Sequence, residues 1–269
     1  MQSPNLPGFI VGVLILALSF SLLERLFPSL LAPRKGTFRP GAFTDLGYLF
    51  FNAFITKQLI RFFNLVLLGL GMLLVSGSFD RSLLDGHGIL MQQPPYLLLV
   101  EMILLADFIT YWMHRLLHSK QLWRIHAIHH SSRELDWLSS ARLHPLNQLL
   151  TSLVVPLTFL FLGFPLKLAV VYAPFLTLYG IFLHANVSFE FGVFKYIVST
   201  PQFHRWHHSR SEEAIDKNFA GLFPVFDMLF GTFYLPEGKE ADDFGVSSRD
   251  FPEGIGEQFV YPFIDKARG

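Results

Sequence analysis

Long apolar runs alternate along the chain with short polar segments rich in histidine. Phe9 to Leu23 reads FIVGVLILALSFSLL and holds no charge. Phe62 to Val75, extended back through Leu59, forms a second run, and Tyr96 to Trp112 a third that contains Glu101 and Asp107. Leu149 to Leu162 and Leu168 to Leu183 follow, separated by little more than Gly163-Phe164-Pro165. A helix needs roughly 20 mostly apolar residues to cross a bilayer. These five runs are therefore expected as membrane helices, the last two as a tight hairpin. Phe43 to Ile55 is also apolar, but Asp45, Lys57 and Arg61 accompany it, so it is expected as an interfacial or partly inserted helix. The first run lacks a basic start and a small-residue cleavage site, and reads as an anchor, not a removed signal peptide. The pattern predicts an all-α integral membrane protein with about four to five transmembrane helices.

Basic residues give the orientation. Arg25, Arg34, Lys35 and Arg39 follow the first run, whereas Met1 to Gly8 holds none. The positive-inside rule then places the N-terminus outside. Counting five crossings puts Ser78 to Pro94 outside and Ser119 to Arg142 in the cytoplasm, with Lys120, Arg124, Arg133 and Arg142. The region after His184 is expected there too. Residues 236–269, polar with scattered Pro and Gly, are expected as a cytoplasmic tail. The membrane would be the plasma membrane in a bacterium and the endoplasmic reticulum in a eukaryote.

Composition narrows the chemistry. Hydrophobic residues make up 51% and charged residues 16% of the 269, against roughly 25% charged in an ordinary soluble domain. The absence of cysteine excludes thiolate zinc sites, cysteine-held iron–sulfur clusters and cysteine nucleophiles. A formal net charge of zero speaks against a nucleic-acid partner.

Ten of the 11 histidines fall between residues 114 and 208. His114 and His118 form HxxxH; His126, His129 and His130, and again His204, His207 and His208, form HxxHH. Residues three and four apart share a helical face, so His114 and His118 point the same way. In HxxHH the first ring can share a metal with either of the others, while the adjacent pair splays by about 100°. One such helix can therefore reach two metal ions. The three groups and His184 are expected at one membrane face, in a helical cap holding a histidine-lined di-metal site. Imidazole suits zinc, copper, iron and nickel. Nine clustered rings exceed the four positions of a lone zinc, and two irons would fit oxygen chemistry. His144, before the fourth run, is expected beside the ligands and not among them. Asp107, two turns before His114 on one face, could orient a ligand ring or pair with another helix. His87 stands alone in the expected outer loop and carries no role.

These residues resemble the sterol desaturase/fatty acid hydroxylase superfamily of membrane di-iron oxygenases. The likeness runs from about residue 95 to 235 and implies a di-iron catalytic domain there, with residues 1–94 as membrane-anchoring helices before it and residues 236–269 as the tail. It includes Asp107 with Tyr111 to His118, Leu122 to Ser131, Arg142-Leu143-His144-Pro145, His184-Ala185-Asn186, His204 to Ser209, Asp216-Lys217-Asn218-Phe219 and Phe226 to Thr232. It implies a non-haem pair of iron ions held by His114, His118, His126, His129, His130, His204, His207 and His208, with His184 as ninth ligand. Some relatives carry a further His or Asn one turn before the residue matching His184. That position is Gly180 here, and water or Asn186 could complete the shell. The implied reaction is O2-dependent hydroxylation, or desaturation, of a lipid C–H bond. Sterols, fatty acyl chains, alkylglycerols, carotenoids and amino-lipid headgroups are all substrates in the family. No His-Pro-Gly-Gly haem motif occurs, so electrons are expected from an external ferredoxin or cytochrome b5 type donor docking near Arg115, Lys120 and Arg124. Two other classes use the same cage: a zinc-bound membrane enzyme, disfavoured by the lack of HExxH and GxSxG, and a metal-transporting or structural membrane protein, whose ligands would sit near the midplane.

Overall fold

The computed structural model describes residues 5–29, 39–189, 191–248 and 251–264. Arg34 and Lys35, used in the charge argument, lie outside the described residues. The described chain is helical, with isolated bridges in place of a sheet. Five helical stretches are long and apolar enough to cross a membrane: Leu6–Leu26, Ala42–Ser76, Pro95–Leu117, Pro145–Leu162 and Leu166–His184. Leu6–Leu26 is α1. Ala42–Phe51 (α2) and Lys57–Ser76 (α3) are joined by a π-helical turn at Asn52–Thr56. Pro95–Leu117, Pro145–Leu162 and Leu166–His184 are α4, α6 and α7. Shorter helices form the cap: α5 (Trp123–His130), α8 (Pro201–His207), α9 (Val225–Leu229) and α10 (Ile255–Val260).

The apolar stretch around Phe43 to Ile55 is not a separate interfacial helix. It runs without a break into α3, because Asn52 donates to the carbonyls of Ala141 and Leu143, 3.1 Å away in each case, and keeps the turn in register with the start of α6. Of the charges that argued against insertion, that of Asp45 is neutralised. Asp45 is fully buried and ion-paired with both Arg39 and Arg142, and Arg39 also binds Asp136 at 2.7 Å. Gly41 precedes α2 at φ +80, and a Cβ there would strike the Arg142 guanidinium.

Helix α3 runs parallel to α6, from Asn52 beside Ala141 and Leu143 to Gly71 against Leu157 and Leu160. Leu98, Met102, Ala106, Phe159, Phe164 and Tyr172 form the core between α4, α6 and α7. The α6–α7 hairpin closes at Gly163, whose φ of +88 and contact with the carbonyl of His87 admit no side chain. His87 stays at this end, its Nε2 2.8 Å from the Leu160 carbonyl. The opposite ends of α2, α4, α6 and α7 converge under the cap.

The segment expected as a tail packs onto that cap. Ser209 and Phe244 form an antiparallel bridge. Phe259 meets the rings of Tyr48, Phe51 and His144. Scattered prolines and glycines hide this in sequence, because the buried contacts come from single residues such as Ala241, Phe244 and Gln258.

Candidate metal centre

The structure gathers all nine expected ligands into two groups. His114, His118, His126, His130 and His207 form one; His129, His184, His204 and His208 form the other. Within each group the ligand atoms lie within 4.8 Å of one another. Each HxxHH helix divides its adjacent pair: α5 sends His130 to the first group and His129 to the second, and α8, with its cap residue, sends His207 to the first and His208 to the second.

Hydrogen bonds fix how the rings face. Nδ1 of His114, His129, His184 and His207 lies 2.7 to 3.1 Å from the carbonyls of Phe219, Arg142, Gly180 and Lys217. A carbonyl only accepts, so each of these Nδ1 atoms carries the hydrogen and each Nε2 presents a lone pair. Nδ1 of His126 meets Asn147 Oδ1 at 2.8 Å, and that of His118 meets Asp216 Oδ1 at 3.0 Å. Nε2 of His114 then faces Nε2 of His126 at 3.1 Å, and Nε2 of His129 faces that of His184 at 3.2 Å.

Two lone pairs at that distance repel unless a proton or metal lies between them. Protonation is opposed. Burial, reinforced by neighbouring imidazoles, pushes His126, His129, His130, His204, His207 and His208 well below the usual 6.5. Nε2 of His118 and of His207 is buried without a hydrogen-bond partner. The donor set therefore fits metal ions, whose bonds to imidazole of about 2.0–2.1 Å allow such spacings.

One short loop supports three ligands. Asp216, Lys217 and Phe219 bond to His118, His207 and His114 respectively. Asp216 and Asn218 take left-handed φ of 56° and 58°. Asn218 is fully buried and secures the loop through Phe203 and Tyr234. Asp227 accepts from the N–H groups of Phe219 and Ala220 at 2.8 Å. Asp107 accepts from Leu222 and Phe223 at 2.9 and 2.8 Å. Asp107 thus anchors this loop and does not bond His114, whose partner is the Phe219 carbonyl; the loop comes between them.

The remaining expected residues are placed differently. His144 caps α6: its Nδ1 accepts from Leu146 N at 3.2 Å and its Nε2 meets the Phe259 carbonyl. Asn186 is held through its backbone, its N–H donating to Glu24 and its carbonyl accepting from Ser29. Sequence reasoning assigned no role to Asn147, Asp216, Asn218 or Asp227. Asn147 stands on the first turn of α6, three residues beyond His144, and that nearness to a histidine was the available signal.

The fatty acid hydroxylase family model matches residues 99–232. The chain is 32% identical over 167 residues to the ornithine lipid hydroxylase OlsE of Rhizobium tropici, covering 62% of this chain and 50% of that one. It is 38% identical over 137 residues to the alkylglycerol monooxygenase of Homo sapiens, covering 50% of this chain and 30% of the relative. A Delta(7)-sterol 5(6)-desaturase of Gibberella zeae is 33% identical over 138 residues, covering 50% and 37%. The chain thus spans half or less of the length of these relatives. No solved structure matches it. With its matched residues containing every ring of both histidine groups, the chain belongs to the fatty acid hydroxylase family.

Proposed function

We propose that the two groups hold two iron ions and that the chain is a membrane-bound, O2-dependent oxidoreductase acting on a lipid C–H bond, with hydroxylation as its main outcome and desaturation as its second. The supporting observation is the division of nine imidazoles into groups of five and four, with lone pairs facing across 3.1 to 3.2 Å. Nine donors exceed what one zinc ion takes. The relatives carry the names of a lipid hydroxylase, an alkylglycerol monooxygenase and a sterol desaturase.

A pair of iron ions supplies dioxygen activation and the oxidising power for an unactivated C–H bond. The chain's own residues do the rest. His114, His118, His126, His130 and His207 hold one ion; His129, His184, His204 and His208 hold the other. The carbonyls of Phe219, Lys217, Arg142 and Gly180, with Asn147 and Asp216, keep Nε2 of His114, His207, His129, His184, His126 and His118 turned inward. A cleft of about 450 Å³ reaches His118, His130, His207 and His208 past Trp123, Ile215 and Val246. It borders both groups, and Lys120, Arg210 and Asp216 line it together with those apolar residues, so it can meet both an apolar segment and a polar end of a lipid.

On this reading Asp107 acts by holding the Phe219 loop, His144 by setting the start of α6, and Asn186 by securing the turn after His184. Electrons come from an external ferredoxin or cytochrome b5 type donor at the basic face of Arg115, Lys120 and Arg124. The histidines lie on the cytoplasmic side, in keeping with Arg124, Arg133 and Arg142 around them.

The test combines two measurements. Metal analysis of purified protein should give about two irons per chain, following the two groups. Lipid mass spectrometry of cells with and without the protein should show a species gaining one oxygen atom, or losing two hydrogens for desaturation. Zinc in both groups, or no oxidised lipid from an iron-loaded protein, overturns the reading.

A further inference from the structure

Helix α1 is long and apolar enough to cross the bilayer, yet its contacts lie at one end of the bundle. Asn52 is hydrogen-bonded to the carbonyls of Ala141 and Leu143, which fixes residues 50–54 level with the start of α6. Phe259 touches both Phe51 and His144, confirming that level. Phe9, in the first turn of α1, packs on Phe50 and Phe54 with ring centroids 5.3 and 5.0 Å away. At the other end, Glu24 accepts from the N–H groups of Trp137 and Asn186 at 3.2 and 3.0 Å. Asn186 follows His184, where α7 meets the cap. Both ends of α1 therefore sit on the histidine side.

The distances decide the rest. Phe9 and Glu24 are separated by about 22 Å of helix at 1.5 Å per residue. The far end of the bundle, where Gly71 and Met72 meet Leu160, lies about 30 Å along the α2–α3 helix from Asn52. That is about the thickness of the hydrocarbon core. A crossing α1 would bring Phe9 beside those residues, and it is beside Phe50 instead. Between its ends, Leu16, Ala17, Phe20 and Leu23 pack on a patch that includes Trp137, Leu138, Ile181 and Phe182.

We infer that α1 lies in the plane of the membrane, in the leaflet on the histidine side, and that only four stretches cross. The acyl chains of that leaflet cover its outer face. Val11, Leu14, Ile15, Leu18 and Leu22 are all more than half exposed there, and Leu18 is 73% exposed. In-plane helices usually show a polar side to water. In α1 the protein takes that place along the second half of the helix, where Leu16, Ala17, Phe20 and Leu23 are partly buried against the Trp137 turn and the end of α7. The N-terminus is then on the same side as the histidines, which reverses the expectation of an outside N-terminus. Arg25 and Arg39 keep the side that the basic residues require.

The lack of cysteine makes the test direct. Single substitutions Ser3→Cys, Gln92→Cys and Ser247→Cys are made in the full chain in sealed vesicles and treated with a membrane-impermeant maleimide. Ser3→Cys and Ser247→Cys should label from one side and Gln92→Cys from the other. Ser3→Cys labelling together with Gln92→Cys overturns the inference. Nitroxides at Val11, Leu14, Leu18 and Leu22 give a second measurement: they should report nearly equal depth and free access to lipid-dissolved oxygen. A depth changing by about half the hydrocarbon thickness along the series, or shielding by a second copy of the chain, also overturns it. Neither measurement depends on iron or on lipid oxidation, so the function proposed above can fail while this stands, and the reverse.

Discussion

The carbonyl oxygen of Arg142 lies 3.1 Å from Nδ1 of His129, and its guanidinium binds Asp45 at the start of α2. One residue therefore ties a histidine of the second group to a helix outside the family match at residues 99–232. Arg142 also donates to Ser131 and to the Gly41 carbonyl. Removing one partner of a buried ion pair strands the other charge, which costs about 3–5 kcal/mol. Asp45→Asn should therefore destabilise the folded protein by about that amount and reduce metal content at the His129 group first. Thermal unfolding in detergent, with metal analysis before and after, checks both parts.

The division of adjacent histidines gives a sharper expectation. His129→Ala removes a ligand from one group and His126→Ala from the other. Each variant should lose metal from its own group and keep about one ion per chain, as read by elemental analysis. His144→Ala should keep both ions. Its loss removes the α6 cap, worth about 1 kcal/mol, and lowers the thermal midpoint. A His144→Ala protein depleted of metal would place that ring closer to the ligands than its bonds to Leu146 and Phe259 indicate.

The ligands were legible because helical spacing carries their geometry: HxxxH and HxxHH state which rings share a face before any tertiary contact is known. The supporting residues were not. Asp107 seemed placed for His114 by helical register, but it accepts from Leu222 and Phe223 across a distance of more than a hundred residues. The role of Asn218 depends on a left-handed backbone and three bonds to residues distant in sequence. Neither has a local periodicity to reveal it. The in-plane lie proposed for α1 has no sequence signal for a related reason. Length and apolarity say that a helix prefers lipid, and only contacts such as Phe9 with Phe50 say how it lies in it.

Asn147 offers a test of the orienting bonds. It accepts from Nδ1 of His126 at 2.8 Å and is buried. Outer partners of metal-bound histidines typically contribute 10–100-fold in affinity. Asn147→Leu should weaken metal binding by about that factor while leaving the helix intact, and Asn147→Asp should restore it. Competition with a chelator of known affinity measures the change. Asp216→Ala should act in the same direction on His118, whose Nδ1 also meets a side-chain oxygen.

Acid should dismantle the centre, and the sign follows from burial. His126, His129, His130, His204, His207 and His208 are held neutral, with proton affinities well below the usual 6.5. In the unfolded chain these rings take up protons as the pH drops through about 6.5. The folded chain resists, so the unfolded state gains by about 1.4 kcal/mol per pH unit for each ring that stays neutral. Stability supplied by these rings is therefore complete above about pH 6.5 and declines as the pH falls below it. Metal ligands must also be unprotonated, so bound ions add to the same trend. The metal-free protein should show a falling thermal midpoint from pH 7 to pH 5, and the metal-loaded protein should release its ions over the same range. His129→Ala, with one fewer buried ring, should show a shallower slope in the metal-free form. A midpoint unchanged across that interval would mean that the rings are hydrated and already free to titrate in the folded state.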